Sequence, residues 1–176
     1  MRKLKTEELG RKSVEEFRLS EKLPVMVILD NVRSMHNVGS VFRTADAFLL
    51  GGVYLCGYTP RPPHRDIQKT ALGATESVAW SYYESAEDAV KHLQAGGYRV
   101  WAVEQASEST SLQTFAPPPG EKTAVVFGNE VEGVAPEVMA LCDGVLEIPQ
   151  WGTKHSLNVS VAAGIVLWEI RKSFIV

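Results

Sequence analysis

Two cysteines in 176 residues exclude a disulfide framework. Cys56 and Cys142 have no close partner and no metal-like spacing, so both read as buried, reduced thiols. The four histidines, at 36, 64, 92 and 155, form no ligand set, and no metal is expected. A bilayer-length run is missing too. The longest apolar stretch near the C-terminus, 161–168, falls far short of the ~20 residues a span needs. The opening Met-Arg-Lys-Leu-Lys-Thr-Glu-Glu has no apolar signal region, so the expected location is cytoplasmic, with no membrane partner. An excess of positive charge is absent. The net charge of −3 argues against strong non-specific nucleic-acid binding and allows only a local basic patch. Neither a P-loop nor a Gly-x-Ser-x-Gly elbow occurs. The junction 30–39 carries one glycine, at 39, where a dinucleotide fingerprint needs three.

What is present is a 45% hydrophobic chain of one-domain length. Residues 1–22 read as a charged arm containing a helix over 5–18, and 23–176 as a single domain. Apolar runs at 25–29, 53–56, 98–103, 124–127 and 145–148 have strand length. Helical spacing covers 38–50, 85–95, 135–141 and 157–172. Residues 57–81 read as a long irregular loop with a short helical turn, a length often tied to function. Alternating strands and helices predict an α/β fold, a mostly parallel sheet with helices on both faces. The last helix is apolar on nearly every side, which predicts packing on both sides.

Three loop-to-helix junctions follow strands one, four and five, where α/β sheets bind ligands. They are Asn37–Asp46, Phe127–Val134 and Ile148–Val159. Each polar residue has a simple structural reading. Asn37 and Ser156 suit helix N-caps. Arg43 can pair with Asp46 at i+3. Glu130 can cap loop amides, and Asn158 can be structural. Five such residues at three junctions argue for a shared site.

These segments resemble the motifs of the SpoU/TrmH family of RNA ribose 2′-O-methyltransferases, in the SPOUT superfamily. The first motif's Asn, and the Arg six residues later, fall on Asn37 and Arg43. Gly-x-Glu-x-x-Gly-Val falls on Gly128, Glu130, Gly133 and Val134. Ile-Pro-x-x-Gly-x-x-x-Ser-Leu-Asn-Val falls on Ile148, Pro149, Gly152, Ser156, Leu157, Asn158 and Val159. The resemblance runs from about residue 25 to 172. It implies a C-terminal trefoil knot and a homodimer through the last helix. It also implies S-adenosylmethionine bound by Val103, Glu104, Gln105, Phe127, Gly128, Asn129, Gly133, Ile148, Pro149, Ser156 and Leu157. Ile148 and Leu157 would flank the adenine. Asn37, Arg43, Glu130, Ser156 and Asn158 would form the catalytic set, with Arg43 either positioning the ribose or acting as a general base. Cations in the loops, namely Arg33, His36, Arg61, His64, Arg65, Lys69, Lys154 and His155, are candidates for contact with tRNA or rRNA. No added RNA-binding domain or basic tail is expected, which leaves the target RNA open. A knotted methyltransferase acting on a base nitrogen and a non-catalytic RNA-binding or assembly protein are the alternatives.

Overall fold

The computed structural model describes residues 1–175; Val176, the last residue of the expected domain, lies outside them. Seven strands form one sheet in the order β3-β2-β1-β6-β4-β7-β5. They are β1 Leu23–Asp30, β2 Leu50–Cys56, β3 Trp80–Tyr83, β4 Arg99–Val103, β5 Thr110–Ser111, β6 Thr123–Phe127 and β7 Gly144–Glu147. Every pairing is parallel. The central strand β1 shows why its sequence is apolar throughout. Val25, Val27 and Leu29 enter one core and Met26 and Ile28 the other. A parallel strand covered on both faces needs apolar groups at both parities.

The first core is closed by α2 (Met35–Ala47), α3 (Arg65–Ala71), α4 (Ala74–Ser77) and α7 (Val159–Lys172), and the second by α5 (Ala86–Ala95) and α6 (Pro136–Leu141). The predicted arm helix over 5–18 is two pieces, a 3₁₀ turn at Thr6–Leu9 and α1 at Val14–Leu19. Gly10, in the left-handed region at φ 58°, ends the first, and Ser13 caps the second. The arm is docked: Phe17 is 4% exposed, and Arg18 donates to the Glu76 carbonyl. The stretch 57–81 holds α3, α4 and the start of β3, rather than one irregular loop. Strand β3 was hidden because its residues are mostly exposed at the sheet edge, and β5 because it has two residues. No helix among the described residues is long and apolar enough to cross a membrane.

Two expected helix starts move. Ser34, not Asn37, caps α2, its hydroxyl accepting from the Asn37 amide at 3.3 Å. Asn158, not Ser156, caps α7, which therefore begins at 159 rather than 157. Within the chain α7 buries one face only, through Val159, Ala163, Val166, Leu167 and Ile170. The opposite stripe of Val161, Ile165 and Trp168 stays 40–50% exposed. Both cysteines are free, and burial pushes each thiol up to about 12, which makes them unreactive.

Gly39 sets the approach of α2 to α3. A Cβ there would lie 2.1 Å from Thr70 Oγ1 and 2.3 Å from the Ile67 carbonyl oxygen. The carbonyl belongs to a helix and cannot swing aside. Gly39→Ala should therefore lower stability by about 1–3 kcal/mol, the usual cost of overpacking. Calorimetry tests this: a thermal midpoint equal to wild type would show that the helices have slack at this crossing.

Candidate active site

A cleft of about 460 Å³ opens at the carboxyl ends of β4, β6 and β7. That volume lies in the range of small-molecule sites, roughly 300–1,000 Å³. Its wall takes Val103, Glu104 and Gln105 from the end of β4 and residues 127–133 from the β6 junction. The β7 junction adds Ile148, Gln150 and 155–158, and α7 adds Val159 and Ala162. Ten of the eleven expected donor-site residues are thus assembled from three separated segments. Pro149 is the exception; it is half-buried behind the wall. Val131, Glu132, Gln150 and Ala162 line the cleft without having been singled out, and Val159 lines it as a motif position given no donor role. The sequence signal of the other four was only their place within or beside the motifs.

The β6 junction is a tight turn. Asn129 and Gly133 exchange backbone bonds at 3.0 and 2.9 Å. The Asn129 carboxamide accepts from Val131 N at 2.8 Å and donates to the Asn31 carbonyl at 2.9 Å. Gly133 takes φ 72° and faces the Glu104 carboxylate, which accepts from Val134 N at 3.2 Å and Gln105 N at 2.8 Å. A Cβ on Gly128 would sit 2.1 Å from the Gly133 carbonyl carbon. The crowding there is the backbone of the turn itself. Gly128→Val should force this turn open and weaken S-adenosylmethionine binding indirectly, with a lower thermal midpoint as well. Calorimetric titration giving wild-type affinity would show that the turn does not shape the cleft.

At the lip of the cleft one hydrogen-bond chain ties the three junctions. Asn158 Nδ2 donates to Asn37 Oδ1 at 3.1 Å, and Asn37 Nδ2 donates to Glu130 Oε1 at 3.1 Å. Glu130 also accepts from the backbone amides of Arg33 and Ser34, both at 3.0 Å. Asn37 is 9% exposed, so its carboxamide needs these partners. Partial burial pushes the Glu130 carboxyl up, but the Arg33 and Ser34 amides and the Asn37 side chain outweigh it and hold the group below its ordinary value. A lowered carboxyl strengthens the tie above its unfolded value, and the tie is lost as pH falls through the folded one. Asn158 Oδ1 meanwhile accepts from Ser160 N at 2.9 Å and caps α7.

Arg43 is not brought to this lip. Six residues at about 100° each place it roughly 120° around α2 from Asn37. It is exposed and makes no ion pair with Asp46, which instead accepts from the Ser77 hydroxyl. It lines a separate hollow with Ser40, Thr44, Lys69 and Gly164. Ser156 is exposed on the cleft wall, and its hydroxyl has no partner among the described residues.

The loop cations divide. Arg33, His36, Arg65 and Lys154 are exposed, with no side-chain partner among the described residues. His64 caps α3 by accepting from Asp66 N at 3.2 Å, and Lys69 pairs with Asp66 at 2.6 Å. Arg61 stacks over the Tyr82 ring at 4.3 Å. His155 lines the cleft, and its carbonyl accepts from Gln105 Nε2.

The wall suits a nucleoside-sized cation recognised largely by main chain. Ile148, Leu157, Val103 and Ala162 supply apolar surface for a flat base. No backbone N–H of residues 150–157 has a protein partner among the described residues, so these donors are free for a ligand.

Comparison with known proteins agrees with the geometry. The model of the SpoU rRNA Methylase family matches residues 24–168. A tRNA (guanosine(18)-2'-O)-methyltransferase of Thermus thermophilus is 32% identical over 168 residues, 94% of this chain and 83% of that one. The AdoMet-bound rRNA methyltransferase from Sinorhizobium meliloti superposes with a TM-score of 0.81 at 28% identity, covering 89% of this chain and 59% of that longer one. A structure concerned with 2-OH methylation of C/U34 on tRNA superposes at 0.71 with 27% identity, covering 85% of this chain and 95% of that one. The chain belongs to the SpoU rRNA Methylase family.

Proposed function

We propose that this protein transfers a methyl group from S-adenosylmethionine to a ribose 2′-hydroxyl in structured RNA, tRNA or rRNA, as a cytoplasmic homodimer. The observation that carries the reading is the Asn158–Asn37–Glu130 chain at the lip of a nucleoside-sized cleft. It joins the three motif junctions into one rigid edge. When bound, S-adenosylmethionine supplies an electrophilic methyl carbon on its sulfonium. The residues of the cleft fix where that carbon stands, and holding the attacking oxygen in line with it can contribute roughly 7–11 kcal/mol at best. Ile148 and Leu157 would sandwich the adenine, and Ser156 would face the ribose that enters from the lip.

Arg43 would hold the phosphate and ribose of the RNA with its planar fork. Its distance from the cleft in one chain supports a shared site. Its hollow includes Gly164 of α7, beside the uncovered stripe of Val161, Ile165 and Trp168. A second copy seated on that stripe would bring its own cleft lip toward Arg43. We read residues 1–22 as an arm docked on a single domain of 23–176. The sheet order supports a threaded C-terminal end, because the chain leaves β4 for the edge strand β5 and then returns to place β6 between β1 and β4. Arg33, His36, Arg61, His64, Arg65, Lys69, Lys154 and His155 would supply the local RNA surface, with Arg33, His36, Arg65 and Lys154 the most available.

The test uses methyl-labelled donor and total RNA from cells lacking the protein. Nucleoside analysis should recover label in a 2′-O-methylnucleoside. Label on a base would favour the base-nitrogen alternative, and no transfer to any cellular RNA would favour a non-catalytic role.

A further inference from the structure

Two tyrosines at the carboxyl edge of the sheet have no role in the cleft. Tyr58 follows β2 and is 86% exposed; Tyr82 lies on the edge strand β3 and is 38% exposed. Single exposed apolar groups need no explanation, but here the Tyr58 backbone and the Tyr82 ring are fixed to the same turn at Gly57. The Tyr58 amide donates to Asn31 Oδ1 at 2.9 Å, and the Tyr82 hydroxyl donates to the Gly57 carbonyl at 3.3 Å. Gly57, at φ 58°, lies so close to Asn31 that a Cβ would meet Oδ1 at 2.2 Å. Thr59 pins the next residue: its hydroxyl accepts from Val32 N at 3.1 Å and donates to the Leu29 carbonyl at 2.9 Å.

These pins connect the tyrosines to the active-site lip. Asn31, itself at φ 53°, accepts from Asn129 Nδ2 at the turn that carries Glu130. Two residues beyond Asn31, the Arg33 amide donates to Glu130. The aromatic pair is therefore coupled to the cleft through short, bonded steps. A cation is stacked on it, Arg61 over Tyr82, and exposed Arg65 follows in the same segment of the chain. On a chain of net charge −3, an exposed tyrosine next to a ring that carries a stacked guanidinium offers both a flat face and a positive charge. Such surfaces bind unpaired nucleotides, because every base offers a π-face while its phosphate meets the cation.

We propose that Tyr58 and the Tyr82–Arg61 stack form a platform on which an unpaired base of the RNA, flanking the methylated nucleotide, stacks. This rests on the RNA methyltransferase reading for its ligand class. The platform would make the enzyme favour loops over duplex, since paired bases cannot present a face to it.

The probe is a single-stranded 12-residue RNA carrying one 2-aminopurine, titrated against the full chain. Binding should quench the 2-aminopurine, and Tyr58→Ala should weaken affinity by about five- to a hundredfold, the usual range for one lost stack. Tyr58→Phe keeps the ring and should bind within about twofold of wild type, as aromatic faces are interchangeable for stacking. Arg61→Ala should flatten the salt dependence of binding, and Tyr58→Ala should leave that slope unchanged. Affinity within twofold for Tyr58→Ala, or equal loss in Tyr58→Phe, would overturn the platform, as would self-association through this patch in place of RNA binding. Tyr58 is exposed, so an unchanged thermal midpoint should accompany the loss. Donor titration separates the two readings. Normal S-adenosylmethionine binding with unaltered RNA affinity sinks only the platform. Lost RNA affinity in a protein that binds no donor sinks only the methyltransferase.

Discussion

Arg43→Ala should abolish RNA methylation while leaving S-adenosylmethionine affinity within about twofold of wild type, because the cost of losing a bidentate ion-bonded group falls on the RNA it holds. The structure sharpens the reason. Arg43 lies on an exposed face of α2, outside the cleft and without an ion pair among the described residues, so its removal leaves the cleft wall untouched. Calorimetry for the donor and single-turnover methylation for the reaction give the two halves of the result. Loss of donor binding would place Arg43 in the cleft and contradict the geometry. The mutant's pH profile separates two roles. A guanidinium gives up its proton only under strongly alkaline conditions, so a positioning cation is the cheaper mechanism. Arg43→Lys should then lose rate at every pH with an unchanged profile. An inflection displaced by the lysine would restore a general base. Mixing Arg43→Ala with a Gly128→Val chain adds a third measurement. Recovery of activity would show that Arg43 serves the cleft of the other copy; no recovery would confine each site to one chain.

The second large effect is on assembly. Ile165→Glu and Trp168→Glu should convert a dimer into a folded monomer at micromolar concentration. Val161, Ile165 and Trp168 are spaced as one helical stripe and stay 40–50% exposed in the single chain, where the Trp168 ring centroid lies 5.7 Å from that of Phe48, so a charge there costs little until a partner covers it. In a two-fold interface each substitution appears twice, and an uncompensated buried charge costs about 3–5 kcal/mol. The dimer dissociation constant should therefore rise by two orders of magnitude or more. Light scattering with circular dichroism reads mass and fold together. A wild-type monomer, or mutants that remain dimers, would remove the interface from α7. Retained helicity in the monomeric mutants would confirm that one subunit folds without the stripe's apolar side chains.

Much of the architecture was legible in the order of residues. Runs such as 25–29 and 124–127 are apolar at both parities, which marks strands buried on both faces before any coordinate is known. The three polar junctions were legible as one site, because parallel α/β sheets bring their carboxyl ends together. Elements without an apolar signature were not legible. Strand β3 is exposed at the sheet edge, and β5 is too short to carry a period.

Residue roles inside the site divided along the same line. Their place at three polar junctions selected Asn37, Glu130 and Asn158, but each also had a local reading, Asn37 as a helix cap, Glu130 as a cap of loop amides and Asn158 as a structural residue. Asn37 lost the cap of α2 to Ser34, since its own carboxamide is spent between Glu130 and Asn158, 93 and 121 residues away in the chain. Asn158 took the α7 cap expected of Ser156 and makes that long-range bond as well. Gly128 was visible only as a motif glycine; what it avoids is the backbone of Gly133 and Val134, residues of the same motif that the turn folds back onto it. Arg43 and the α7 stripe show the other side. The sequence by itself determined that a cation sits six residues after Asn37 and that the last helix is apolar all round. Tertiary packing decided that the cation faces away from the cleft and that one apolar face stays uncovered. Helical periodicity is local and fixes only angles along one element, whereas burial depends on which surface the rest of the chain supplies.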